Sequence, residues 1–198
     1  MHRTRKASSA RDGSVTALTD DRAKALVSRQ LKGRLFGRVC VLGVGNRYRC
    51  DDGAGSLVAE RLGGRTGALT IDAGAVPENY LEKVARSRPD TILILEAVDF
   101  GGAAGEIRIL DPVSIAPSGL STHALSLQMA AEFLKARTRA RLAVLAIQPA
   151  NVGYGTELSD EVTCAVALVQ ETLSDALRER ASDQHDQSGG VMWGERGS

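Results

Sequence analysis

The chain has 198 residues, a formal net charge of +1 and 43% apolar residues, which suits one globular domain with a substantial core. So balanced a charge gives no strong field for nucleic acid or a membrane surface, and no apolar run reaches the roughly 18 residues that span a bilayer. Three scattered cysteines (Cys40, Cys50 and Cys164) exclude a disulfide framework, and without a Cys-x-x-Cys pair a zinc knuckle is excluded too. A basic N-terminus with no apolar h-region behind it reads as a cytoplasmic protein without a signal peptide.

Residues 1 to about 18 are polar, basic and rich in Ser, Thr and Ala, and read as a disordered start to an extension covering 1–37. Within it, 20–32 can form a short helix that begins near Asp20 or Asp21 and carries Ala25, Leu26 and Gln30. Strands are expected at Val39–Leu42, Ala68–Ile71, Thr91–Leu95, Glu106–Leu110 and Leu142–Ile147, with helices at about 52–63, 77–87, 123–137 and 159–180. Pro77 at a first helical position and Pro89 just past a helix support two of these boundaries. The run Glu106-Ile-Arg-Ile-Leu alternates polar and apolar, and the Gly101–Gly105 link before it is too short for a helical crossover. It should therefore be an antiparallel edge strand on an otherwise parallel, five-stranded α/β sheet with helices on both faces. The domain spans 38–181, and the aperiodic tail 182–198 reads as disordered.

The chemistry concentrates at strand ends. Val39–Leu42 runs into the glycine turn Gly43-Val-Gly45, and Asp51 and Asp52 open the helix beyond it. A dinucleotide fingerprint would need a third glycine where Tyr48 stands, and no Walker lysine follows, so nucleotide binding is a poor reading. One aspartate suffices to cap the helix; the second is a hard oxygen ligand for a divalent cation. Glu96 directly follows the apolar run Thr91-Ile-Leu-Ile-Leu, where a carboxylate is expensive unless paired or metal-bound, and Asp99 can cap the turn into Gly101. His123 shares a helical stripe with Leu127, Ala130, Ala131 and Leu134 and points inward at a first turn. It is either a buried histidine bonded to a carbonyl or a ligand. Asp, Glu and His at separate element ends suggest one metal ion, provided the first and third strands are neighbours.

The order of Gly43-Val-Gly-Asn46, Asp51-Asp-Gly-Ala-Gly55, Asp72-Ala-Gly-Ala-Val-Pro-Glu-Asn79, Glu96-Ala-Val-Asp-Phe-Gly101, Gly105-Glu-Ile-Arg-Ile-Leu-Asp-Pro112, Ser121-Thr-His123 and Ala146-Ile-Gln-Pro149 resembles that of the hydrogenase maturation proteases. The similarity covers roughly residues 38 to 175 and is nearest the branch serving formate-hydrogenlyase-type nickel–iron hydrogenases. The resemblance implies a three-layer α/β/α sandwich and a cytoplasmic endopeptidase. Such an enzyme removes a short C-terminal peptide from a hydrogenase large-subunit precursor after nickel insertion. By position, Asp52, Glu96 and His123 correspond to the residues that bind a divalent metal in that family. Glu96 stands where the family usually has Asp, which displaces the carboxylate by roughly 1.5 Å or passes its role to Asp99. Ala73 replaces a usual glycine in Asp72-Ala73-Gly74.

No Ser/His/Asp triad can be assembled from these residues. Either Asp52, Glu96 and His123 hold a catalytic divalent metal, or they read the nickel that the precursor carries; the second is the reading favoured by an open three-ligand site. The expected partner is the large-subunit precursor, met by a monomer. The competing class is a non-catalytic nickel- and precursor-binding checkpoint protein on the same fold.

Overall fold

A computed structural model describes residues 13–112 and 124–188 of the chain, with side chains described for 21–112 and 127–182. Five strands, β1 (Val39–Val44), β2 (Leu69–Gly74), β3 (Thr91–Ala97), β4 (Ile107–Leu110) and β5 (Arg141–Ile147), form one sheet in the order β2-β1-β3-β5-β4. All neighbours are parallel except β4, which pairs antiparallel with β5 at the edge, Ile109 opposite Leu145. β1 and β3 are adjacent, with Val41 opposite Leu93. The alternating run Ile107–Leu110 is the wet edge its pattern predicts, whereas every residue of β1 and β3 is buried.

Helices cover both faces. On one, α1 (Gly13–Lys32), α2 (Ala54–Leu62) and α5 (Asp160–Ser188) enclose Val41, Leu93, Leu95 and Leu145; on the other, α3 (Leu81–Arg86) and α4 (Ala124–Arg137) enclose Leu42, Ile92, Ile94 and Val144. Two glycines set how closely α2 approaches the sheet. A Cβ on Gly43 would overlap that of Ala59, and one on Gly55 would overlap the Leu95 carbonyl and lie 2.5 Å from that of Val44. The glycine-rich sequence thus serves helix–sheet contact rather than a phosphate.

Several helix boundaries differ from expectation. α1 starts at Gly13 rather than near 20, and its buried face is Val27 and Leu31, followed by Leu35, while Leu26 is 46% exposed. Lys24 reaches Glu171 and Asp175 on α5 at 2.6 and 3.2 Å. Such exposed pairs contribute about 0–1 kcal/mol each, so apolar burial dominates the docking. The part of the extension from 21 to 37 is therefore built into the domain. Leu31→Ala should cost about 2–5 kcal/mol of unfolding free energy in a urea titration, a loss that a loosely attached extension would not show. At the other end, α5 continues to Ser188, past the expected boundary at 181, and residues 1–12 and 189–198 of the predicted disordered segments lie outside the described residues. The helices expected at 52–63 and 77–87 each begin with a 3₁₀ turn, Cys50–Gly53 and Pro77–Tyr80. No described helix is long and apolar enough to cross a membrane.

Candidate active site

The chain leaves β1 toward β2 on one side, while β3 lies on the other, so the C-terminal ends of β1 and β3 flank a topological switch point where open α/β sheets form crevices. The first wall of the crevice is the 45–53 segment. Gly45 turns at φ +142°, where a Cβ would overlap the Asp52 carbonyl. The Arg47-Tyr-Arg-Cys insertion is then clamped to the loop after β5. Cys50 N–H donates to the Gly155 carbonyl at 2.9 Å, Asp51 N–H to that of Asn151 at 3.0 Å, and the Arg49 guanidinium to that of Val152 at 2.9 and 3.1 Å. Cys50 adopts φ +46°, a left-handed conformation that a non-glycine residue holds only when its surroundings impose it.

The two adjacent aspartates divide the structural and functional readings between them. Asp51 is fully buried, and its carboxylate accepts from the Ala150, Asn151 and Ser159 N–H groups at 2.9, 2.8 and 2.7 Å and from the Ser159 hydroxyl at 3.0 Å. It ties the β1–α2 turn to the β5–α5 loop. Asp52, 7% exposed, accepts the Asn46 N–H at 3.0 Å and lines a cleft of about 230 Å³ together with Ala97, Asp99, Pro149 and Asn151.

Glu96 is 1% exposed near the end of β3, opposite Ala146 of β5. It continues the face of Ile92 and Ile94, over which α3 and α4 pack, and the 3₁₀ turn bearing Asp52 packs against the same strand. Asp99 does form the turn expected of it: Oδ1 accepts Gly101 N–H at 3.0 Å and the Gln148 side-chain amide at 3.0 Å. The Gln148 amide, helped by Gly101 N–H, holds the Asp99 carboxyl below the ordinary carboxylate range. Asp72 accepts from the Ser56 hydroxyl at 2.7 Å and pairs with Arg47 at 2.8 Å, so it braces the loop beside α2.

His123 lies outside the described residues; α4 begins at the next residue, and its stripe of Leu127, Ala130, Ala131 and Leu134 is buried. Among the described residues no three His, Cys, Asp or Glu side chains gather into a metal site. The described carboxylates therefore supply hard oxygen donors but do not make a centre without a further ligand. Reading the sequence did not single out Gln148 or Arg47. Gln148, 6% exposed, accepts from Phe100 and Gly102 N–H at 2.9 and 3.1 Å while donating to Asp99 and Pro149, and so shapes the β3–β4 loop. Its sequence signals are a polar residue ending a solid apolar strand and its place in the Ala146-Ile-Gln-Pro149 motif.

The family model for hydrogenase maturation proteases matches residues 57–176. The chain belongs to the hydrogenase maturation protease family. It is 36% identical over 136 residues to the Hydrogenase 3 maturation protease of Escherichia coli (strain K12), covering 67% of this chain and 86% of that protein. The crystal structure of the [NiFe] hydrogenase maturation protease HycI from Thermococcus kodakarensis KOD1 superposes with a TM-score of 0.65 at 33% identity, over 71% of this chain and 92% of that one. The solution structure of the endopeptidase HycI from Escherichia coli gives 0.62 at 34% identity, over 73% and 92%. Membership makes the chain a peptidase, and the five-stranded sheet with one antiparallel edge is the α/β fold of these enzymes.

Proposed function

We propose that this peptidase removes the C-terminal peptide of a nickel–iron hydrogenase large-subunit precursor after nickel insertion, with Asp52, Glu96 and His123 reading the nickel that the precursor brings. The observation carrying this reading is the placement of two carboxylates, Asp52 after β1 and Glu96 on β3, beside one switch-point crevice. His123 directly precedes the helix that covers the Glu96 face. Carboxylate and imidazole suit nickel, and the printed name of the Escherichia coli relative supports a hydrogenase substrate.

Within this reading the chain's own groups have distinct roles. Asn46 N–H fixes the orientation of Asp52, and the Asp51 network fixes the turn that presents it. Asp99 shares the cleft with Asp52, and the Gln148 amide and Gly101 N–H hold its Oδ1 in a fixed orientation there. Nickel held by Asp52, Glu96 and His123 would supply Lewis acidity toward the scissile carbonyl. A site whose metal arrives with the substrate should ignore metal-free proteins. Casein incubated with the enzyme is expected to stay intact on gels; rapid casein hydrolysis would overturn recognition through the precursor's metal.

A further inference from the structure

Tyr48 and Tyr154 are 76% and 96% exposed, so neither ring serves the core. A single exposed aromatic needs no explanation, but these two are backbone neighbours on a fixed frame. Tyr48 lies in the segment between β1 and Asp52, and Tyr154 in the loop between β5 and α5. The Gly155 N–H, in the peptide bond that follows Tyr154, donates to the Tyr48 carbonyl at 3.0 Å. Tyr48 N–H donates to the Asn46 side chain at 2.9 Å, and Arg49 pairs with Gly155 in an isolated parallel bridge. The two segments approach so closely that a Cβ on Gly155 would lie 2.7 Å from Cys50 Sγ. The Arg49 guanidinium, bonded to the Val152 carbonyl, stands 5.9 Å from the centre of the Tyr154 ring, within cation–π range. A held backbone reduces the ordering cost that a binding surface otherwise bears.

The position of the pair identifies what covers it. Val152, which anchors Arg49, also lines the Asp52 cleft. A second cleft of about 440 Å³, lined by Cys50, Gly155 and Leu158 among others, shares Asn151 with the first. The crevice thus continues from Asp52 along the backbone that carries both tyrosines. The substrate of a peptidase is a polypeptide, and a segment of a folded protein that enters the Asp52 cleft brings the surface around it against this rim.

We propose that Tyr48 and Tyr154 form the docking surface for the large-subunit precursor, packing on an apolar patch beside the segment that enters the Asp52 cleft. The proposal rests on the substrate assigned above. The two rings supply affinity and specificity rather than chemistry, as large, stiff aromatic anchors do at protein interfaces.

The test compares KM and kcat on nickel-loaded precursor, and Kd for the same precursor on an immobilised surface, using full-length protein. Combining Tyr48→Ala with Tyr154→Ala should raise KM and Kd at least about 10-fold while kcat stays within about 2-fold, as expected when ground and transition state lose the same contact. Both rings are exposed, so the double variant should melt with the parent. Tyr48→Phe with Tyr154→Phe should retain most of the affinity. Phe36→Ala, which removes a 56% exposed ring before β1 at the other end of the sheet, should change neither constant. Unchanged KM and Kd in the double alanine variant overturn the docking surface and leave the proposed reaction standing. A parent protein that binds the precursor without cutting it refutes the reaction, and the Kd comparison still decides the surface. A parent protein that does not bind the precursor overturns both.

Discussion

Asp51→Ala is expected to lower the unfolding free energy by about 3–5 kcal/mol, among the largest effects of any single side chain here. The mechanism is loss of an acceptor rather than loss of volume. Truncation leaves the partly buried N–H groups of Ala150, Asn151 and Ser159 without the oxygen that now sits 2.7–2.9 Å from each. The Ser159 hydroxyl can rotate toward another partner, whereas the three backbone donors are fixed by the loop. Asp51→Asn should recover only part of the loss, because its amide nitrogen would face donors. Urea titration of both variants checks this, and an Asp51→Ala protein as stable as the parent would remove Asp51 from the structural role assigned to it. Because the same network presents Asp52, activity should fall along with stability.

Asp52→Ala is expected to do the reverse. Asp52 accepts the Asn46 N–H and lines the cleft, and its loss should cost no more than about 1 kcal/mol of stability while cleavage falls by at least about 10³-fold. His123→Ala should match it in activity. The contrast between neighbours is the informative part: the loss of stability is expected at Asp51 and the loss of cleavage at Asp52. Cleavage rates of purified variants on a large-subunit precursor, read beside their melting curves, separate the two. Undiminished cleavage by Asp52→Ala would refute the site.

Much of this was legible in the sequence because local signals were strong. The solid run at 91–95 and the alternating run at 106–110 announced a central and an edge strand, and the structure has both. A metal reading of residues 52, 96 and 123 required β1 beside β3, and the sheet order supplies that adjacency. What the sequence hid is non-local. Asp51 and Asp52 are chemically identical in sequence, and Asp51 is told apart only by partners some hundred residues away. Gln148 is likewise explained only by the β3–β4 loop that folds over it. In α1 the sequence placed Ala25, Leu26 and Gln30 along the helix without fixing a face, and only contact with α5 decides that Val27 and Leu31 are the buried ones. The turn glycines 43 and 45 lack the third glycine of a dinucleotide fingerprint, and together with Gly55 they serve close packing.

The most direct measurement is intact mass spectrometry of a hydrogenase large-subunit precursor from the same cell, prepared with and without nickel and incubated with the enzyme. Loss of a single C-terminal peptide from the nickel-loaded precursor alone is the predicted result. Equal cleavage of both forms would contradict recognition through the substrate's nickel, and an intact nickel-loaded precursor would contradict the assigned reaction.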